Sequence, residues 1–383
     1  NYFKNEKSKN FDKSHTKNFI NIIERSKRKI KLKGNIFSIF SKNLKLNFKI
    51  KDLKKYEKFK RIIIIGMGGS ILGSAAINNF LKKSSTKEVL FVDNLDPNLI
   101  DKIYKTKNLK NSLFIIISKS GNTFEVLTIV KALKSKAKFN KNNSLIITEK
   151  KGSELNFFAK KEEIKVIEHR NYVGGRYSIF SETALLPACL FGINIKKFRG
   201  NILRYLEGSQ STLLKNLVNL SKVYKSKKIN SLILLSYCPG LDYFLLWCQQ
   251  LIAESLGKKG KGILPVISIA PRDNHSLLQL FLDGPKDKFY YVFSIKEKDK
   301  KNNLNKILNI QKNAMVTILK RKKLPFISIN MKKRDEETLG ELFSYFIFET
   351  IFIGDILQIN PFNQPAVEQL KMLTKKNLSK STK

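Results

Sequence analysis

Short, nearly unbroken apolar runs alternate along this chain with longer stretches in which apolar residues return every three or four positions. The runs at 61–66, 89–93, 113–118, 144–148 and 165–169 are rich in Ile, Leu, Val and Phe, and the four isoleucines at 62–65 leave no polar face. A strand wetted on one side alternates, whereas a strand covered by helices on both sides does not, so these runs predict a parallel sheet between helical layers. A second set at 232–236, 263–269, 290–295 and 325–330 repeats the rhythm. The expected fold class is α/β, with two sandwich domains whose central parallel sheets are flanked by helices, at 51–195 and 196–345. A polar helical segment at 1–50 precedes them and a helical segment at 346–383 follows. Residues 196–228 read as a helical connector poor in Pro and Gly, which packs the domains together. A helix is expected at 243–256, closed by Gly257, and the lysine-rich end KKNLSKSTK is expected to fray.

The 383 residues are 42% hydrophobic, enough for a large core. The net charge of +42, from 73 basic against 31 acidic residues, first raises a nucleic acid or an anionic membrane as partner. Yet the lysines run from Lys4 to Lys383 and accompany an excess of Asn, Ile and Phe, which reads as chain-wide drift, so no specific nucleic-acid partner is expected. Neither of the two most apolar stretches fits a membrane span: 231–253 contains Pro239, Gly240 and Asp242, and 342–359 contains Glu349 and Asp355. The first residues, NYFKNEKSKNFDKS, lack the apolar core of a signal peptide. Cys189, Cys238 and Cys248 show no CxxC spacing and no histidine pair stands near them, so no metal is expected and a reduced, cytoplasmic setting fits.

Two strand exits carry the candidate chemistry. The first run passes into Gly66, Met67, Gly68, Gly69, Ser70, Ile71, Leu72 and Gly73, a turn whose glycines let backbone amides approach an anion at a helix N-terminus. It is not a full dinucleotide fingerprint, because Ile71 stands where a glycine is wanted, although Asp93 ends the next strand as a ribose-binding acid would. Nor is it a Walker A loop, which wants a lysine at Ser74. Taken alone, it is equally a tight turn for packing. The third run ends in Ser118, Lys119, Ser120, Gly121, Asn122 and Thr123, either a phosphate cradle or ordinary helix capping. Both turns leave one parallel sheet at the carboxyl ends of its strands, where α/β ligands bind.

The strings GMGGSILG and SKSGNTFE resemble the phosphate loops of the sugar isomerase fold. NYVGGRYSIFS at 171–181, AESLGK at 253–258, DNHSLLQ at 273–279 and NQPAVEQLK at 363–371 are similar, in order, to later motifs of the phosphoglucose isomerase family. The resemblance covers about residues 55–375 and implies an aldose–ketose isomerase that interconverts glucose 6-phosphate and fructose 6-phosphate in glycolysis and gluconeogenesis. It implies no metal or organic cofactor. By position, Gly69, Ser70, Ser118, Lys119, Ser120 and Thr123 correspond to residues that hold the sugar phosphate, with Gly175 and Gln364 as further substrate contacts. Glu254 matches the base that moves a proton between neighbouring carbons through an enediol, and Arg176 the guanidinium facing the developing enediolate. His275 and Lys371 match the ring-opening groups.

The chain departs from the family pattern at Ala366, in place of a usual glycine, and at Glu182, and it is shorter than most members. The family also implies a homodimer in which the histidine-bearing segment enters the neighbouring subunit's site. Two other readings stand beside this one: a sugar-phosphate-binding regulator without chemistry, and a basic nucleic-acid-binding protein.

Overall fold

In the computed structural model, which describes residues 3–4, 13–81, 87–105, 109–207, 210–297 and 303–381, the two sets of apolar runs become two five-stranded sheets. A short strand β1 (Phe3–Lys4) and helix α1 (Lys13–Ile30) come first. The first sheet follows as β2 (Arg61–Gly66), α2 (Leu72–Leu81), β3 (Glu88–Val92), α3 (Pro97–Lys105), β4 (Ser112–Ile117), α4 (Phe124–Ala137), β5 (Ser144–Thr148), α5 (Glu154–Lys161) and β6 (Lys165–Glu168). Helices α6 (Glu182–Leu190), α7 (Ile195–Phe198), α8 (Arg204–Glu207) and α9 (Gln210–Ser226) lead to the second sheet. Its elements are β7 (Ser231–Ser236), α10 (Asp242–Leu256), β8 (Leu264–Ile269), α11 (Leu278–Asp283), β9 (Lys288–Ile295), α12 (Leu304–Arg321) and β10 (Phe326–Met331), and α13 (Glu336–Ile356) and α14 (Pro365–Ser381) close the chain.

Among the described residues, the apolar runs locate all nine longer strands to within two residues at each end. Strand β1 has no such signal. It pairs antiparallel with β10 at the edge of an otherwise parallel sheet. The lysine-rich end, expected to fray, continues α14 as far as Ser381.

Alternate residues of each strand enter different cores, which is why the runs are nearly unbroken by polar positions. Ile62, Ile64, Leu113 and Ile115 face inward and share one continuous core with Leu232, Leu234, Phe289 and Tyr291 of the second sheet. Ile63, Ile65, Phe114 and Ile116 face outward under α3, α4 and α5, and Ile233, Leu235, Tyr290 and Val292 face outward under α11 and α12. The space between the sheets is filled largely by α10 and α13, whose Trp247 and Phe343 rings lie edge to face at 4.5 Å.

Along α13, every residue from Thr338 to Gly354 is buried, as expected of a helix apolar on all sides. Its carboxylates are therefore partnered. Glu349 accepts hydrogen bonds from the Tyr291 and Tyr345 hydroxyls, both at 2.6 Å, and Glu341 accepts the Tyr205 hydroxyl at 2.7 Å and Arg204 Nη1 at 3.1 Å. No described helix is long and apolar enough to cross a membrane. Burial pushes Glu349 up to about 7 against the pull of both tyrosines. A carboxyl whose folded value lies above its unfolded one binds more protons when native, so its stabilising contribution, complete below about pH 4.5, is lost as pH rises toward 7. Glu349→Gln keeps an acceptor for the tyrosines and removes the titration. Between about pH 4.5 and 8 its stability relative to the parent protein should rise by ~3 kcal/mol, read from urea midpoints; a pH-independent difference contradicts this.

The connectivity also opens a crevice. Sheet order β3-β2-β4-β5-β6 means the chain leaves β2 to one side, then crosses back past it to β4. The turns after β2 and β4 diverge there, at the carboxyl edge of the sheet, which is where ligands enter such folds.

Candidate active site

The turn after β2 is a short 3-10 helix, Gly68–Ser70, packed backbone to backbone on a second one, Gly175–Phe180. A Cβ added to Gly69 would stand 2.3 Å from the Gly175 carbonyl carbon and 2.4 Å from the Arg176 nitrogen, both main-chain atoms that cannot step aside. Gly69→Ala should therefore part the two turns. We expect a Tm loss equivalent to about 1–3 kcal/mol, with KM raised about tenfold or more; unchanged Tm and KM would show that the two turns can separate freely.

The turn after β4 is held by its own hydroxyls. Ser118 Oγ lies 2.7 Å from Thr123 Oγ1 and accepts the Gly121 amide at 3.2 Å, while Ser120 Oγ accepts the Asn122 amide at 3.1 Å. Thr123 occupies the N-cap of α4 but makes no side-chain cap. The helix start thus offers amides and hydroxyls to an anion without ordinary capping. Lys119 Nζ donates to the Asn171 carbonyl at 2.7 Å and faces Glu149 at 3.7 Å. Burial lowers its pKa, with Glu149 pulling the other way. This bond ties the phosphate-type loop to the 171–176 segment.

Arg176 is the hub. Its guanidinium donates through Nε to Ser255 Oγ (2.8 Å), through Nη1 to Glu254 Oε2 and Gln364 Oε1 (both 2.9 Å), and through Nη2 to the carbonyls of Pro361 (2.7 Å) and Asn363 (3.1 Å). All five donors are engaged, which only the planar guanidinium fork can do. The Arg176 side chain is 2% exposed and that of Glu254 30%, so the arginine is sunk behind a carboxylate that solvent reaches. Trp247 Nε1 holds the Arg176 carbonyl at 2.9 Å, and Tyr177 donates to the Pro361 carbonyl at 3.0 Å.

The second oxygen of Glu254 accepts Gln250 Nε2 at 3.1 Å. One helical turn separates the two residues on α10, so they share a face. Gln250 also closes on Gly68, where φ is +51° and an added Cβ would come within 2.8 Å of its Nε2. Its Oε1 is buried without a partner. Gln250 thus joins the glycine turn to the carboxylate. Sequence alone does not mark Gln250 out, although its place four residues before Glu254, on the same helix face, is a usable signal.

The structure brings Glu254, Arg176, Gln364, Gly69 and Gly175 into one continuous network, with Ser70 in the same turn as Gly69. Ser118, Lys119, Ser120 and Thr123 form the adjoining loop. His275 and Lys371 lie elsewhere on the surface. His275 ends an exposed 3-10 turn after β8, and Lys371 projects from α14, paired with Glu368 at 2.8 Å. Neither forms a hydrogen bond or ion pair with Glu254, whose partners are Arg176 and Gln250. Among the departures, Glu182 is fully buried, accepts Arg170 Nη2 and the Asn47 amide at 2.8 Å each, and so fastens the 41–50 segment to α6; Ala366 lies on the exposed first turn of α14. His169, buried beside Lys119, is pushed by burial down to about 4, so it stands neutral near the cradle.

The described residues contain no His, Cys, Asp and Glu cluster that could hold a metal ion. What is assembled is a carboxylate, a guanidinium behind it, and two amide-rich turns.

The model of the phosphoglucose isomerase family matches residues 47–262. The glucose-6-phosphate isomerase of Methanocaldococcus jannaschii is 32% identical over 362 residues, spanning 88% of this chain and 87% of its own. That of Campylobacter jejuni is 34% identical over 359 residues, spanning 84% and 86%. In fold, the chain is similar to a hypothetical protein from Thermus thermophilus (TM-score 0.83, 23% identity, 95% of each chain). It is also similar in fold to a glucose-6-phosphate isomerase from Chlamydia trachomatis (TM-score 0.76, 18% identity, 98% of this chain and 81% of that one). The two parallel sheets flanked by helices are the expected sugar isomerase architecture. With the family model covering more than half of its length and two relatives above 30% identity over most of it, the chain belongs to the phosphoglucose isomerase family.

Proposed function

We propose that this protein interconverts glucose 6-phosphate and fructose 6-phosphate by ring opening and proton transfer through a cis-enediol. The observation that carries this is the Arg176–Glu254 pair at 2.9 Å, placed against the glycine turn that Gly69 opens. Aldose–ketose isomerisation removes a proton beside a carbonyl and returns it to the next carbon, so one carboxylate serves both steps. Glu254 is exposed enough to reach substrate and is held at both oxygens. The enediolate carries negative charge absent from the bound sugar. Arg176 Nη1 meets that charge when the ligand oxygen displaces Glu254 or Gln364 from it. The phosphate docks on the amides and hydroxyls of 68–70 and 118–123, with Lys119 adding charge.

His275 and Lys371 are assigned to ring opening. The exposure of His275 in one protomer is what a shared site requires, since a group that completes a neighbour's pocket must stand on the surface of its own subunit. Exposed Val367, Leu370, Met372 and Leu373 on α14, and Leu280 on the helix that follows His275, supply apolar surface for a homodimer. Cys189, Cys238 and Cys248 are unpaired, consistent with a reduced, cytoplasmic setting.

A coupled assay that consumes newly formed glucose 6-phosphate, with fructose 6-phosphate as substrate, tests the activity. Turnover is expected. Tight binding of fructose 6-phosphate without turnover favours the regulator instead, and a fully active monomer in sedimentation contradicts the shared site.

A further inference from the structure

Lys258 stands just past the carboxyl end of α10, four residues after Glu254 and beyond the closing residue Gly257. Its Nζ donates to the Ser255 carbonyl at 2.9 Å and to the Asn360 carbonyl at 2.7 Å. The first partner is an orphan carbonyl of the helix end, where a cation is favoured. The second opens the 360–364 segment, which supplies the Pro361 and Asn363 carbonyls and the Gln364 side chain to Arg176. Ser255 itself holds Arg176 Nε and the Tyr177 hydroxyl through its side chain. One ammonium therefore fastens both walls of the cage around the guanidinium.

The geometry points to Lys258 as a positioning residue for the reaction: by bridging Ser255 and Asn360 it fixes the carbonyl cage, and so the Arg176 guanidinium, relative to Glu254. This inference rests on the isomerase reading above. A neighbour provides an internal comparison. Lys261 Nζ donates to the Leu357 carbonyl at 2.6 Å, clipping the same connector to the same loop without reaching the cage. A merely structural clip would make the two lysines equivalent, whereas a positioning role separates them.

The charged and titratable groups around Lys258 are Arg176 and Tyr177 from the 175–180 turn, Glu254 on α10, and Lys259 and Lys261 on its own loop. The 357–364 connector has no ionisable side chain. Burial, with Arg176 adding repulsion, brings Lys258 down to about 8 against the pull of Glu254. A neutral amine still donates to carbonyls but loses the charge-assisted part of both bonds. Activity should accordingly fall on the alkaline side as Lys258 loses its proton.

The test measures kcat and KM from about pH 6 to about pH 10 for the full chain and for Lys258→Met, Lys258→Arg and Lys261→Met, with thermal midpoints alongside. Lys258→Met should lower kcat about tenfold with KM changed less than about threefold, and its remaining activity should lack the alkaline limb. Lys258→Arg, permanently charged, should recover most of kcat and move the limb up by at least about one pH unit. Lys261→Met should lower only the thermal midpoint. An active parent protein whose limb stays in place in both Lys258 variants overturns the role of Lys258 and leaves the isomerase reading intact. A parent protein inactive on fructose 6-phosphate at every pH sinks the isomerase reading itself, and this role with it.

Discussion

Glu254→Gln is expected to lower kcat by about 100-fold to 10,000-fold, the usual worth of a positioned general base, or about 3–5 kcal/mol of barrier. The substitution is nearly isosteric. Its amide oxygen can still accept Arg176 Nη1, and the new amide nitrogen faces Gln250, whose Oε1 is buried without a partner and can take that hydrogen after the Gln250 amide turns over. The fold and the anion-holding turns should persist, so the thermal midpoint should stay close to that of the parent. A six-carbon polyol 6-phosphate, which has no carbonyl to react, should bind the variant about as well as the parent. Exchange of the transferred proton with deuterated solvent should fall together with kcat, because the same carboxylate takes that proton off. A variant with near-normal kcat removes Glu254 from the role of base. A variant that has lost polyol phosphate binding instead makes it a structural support for the turns.

How much of this was legible in the chain depends on what kind of atom carries each contact. Strands such as 62–65 announce themselves because both of their faces are buried, and the glycine turn at 66–73 because only small residues allow the approach of Gly69 to Gly175 and Arg176. The motif residues Arg176, Glu254 and Gln364 are brought together from positions far apart in sequence, and they were found through the family resemblance. A lone glutamate on a helix has no signature of its own. The cage around Arg176 left even less trace, since two of its five acceptors are main-chain carbonyls at Pro361 and Asn363, which any residue could supply. Gln250 and Lys258 are ordinary helix-surface residue types until the Gly68 turn and the Asn360 segment are seen to close on them. Glu182, a departure from the family pattern, is a buried clamp on Arg170, and its partners lie in the 41–50 segment as well as in its own neighbourhood. Glu349 argued against a membrane span by its charge alone; the two tyrosines that make its burial tolerable come from β9 and from one turn earlier on α13.

Arg176→Lys should cost both stability and rate although the charge is kept. A lysine carries three donors on one nitrogen, against the five acceptors that now surround the fork. Tyr177 still serves the Pro361 carbonyl, but Glu254, Ser255 Oγ, Gln364 Oε1 and the Asn363 carbonyl outnumber the three donors, so at least one of them is left short around a side chain only 2% exposed. A polar group left unsatisfied there costs about 1–3 kcal/mol, so a loss of that order in unfolding free energy is expected from urea titration. The kinetic loss has a separate origin. A point charge retained near Glu254 can still attract a substrate oxygen, but it cannot present Nη1 along a fixed direction to the oxygen on which enediolate charge develops. Removing one such preorganised donor costs about 100-fold to 1,000-fold in kcat. Because the turns at 68–70 and 118–123, to which the phosphate is assigned, are untouched, KM should change far less than kcat. A variant that keeps the parent kcat while losing stability would reduce Arg176 to a structural rivet, and the enediolate would need another partner.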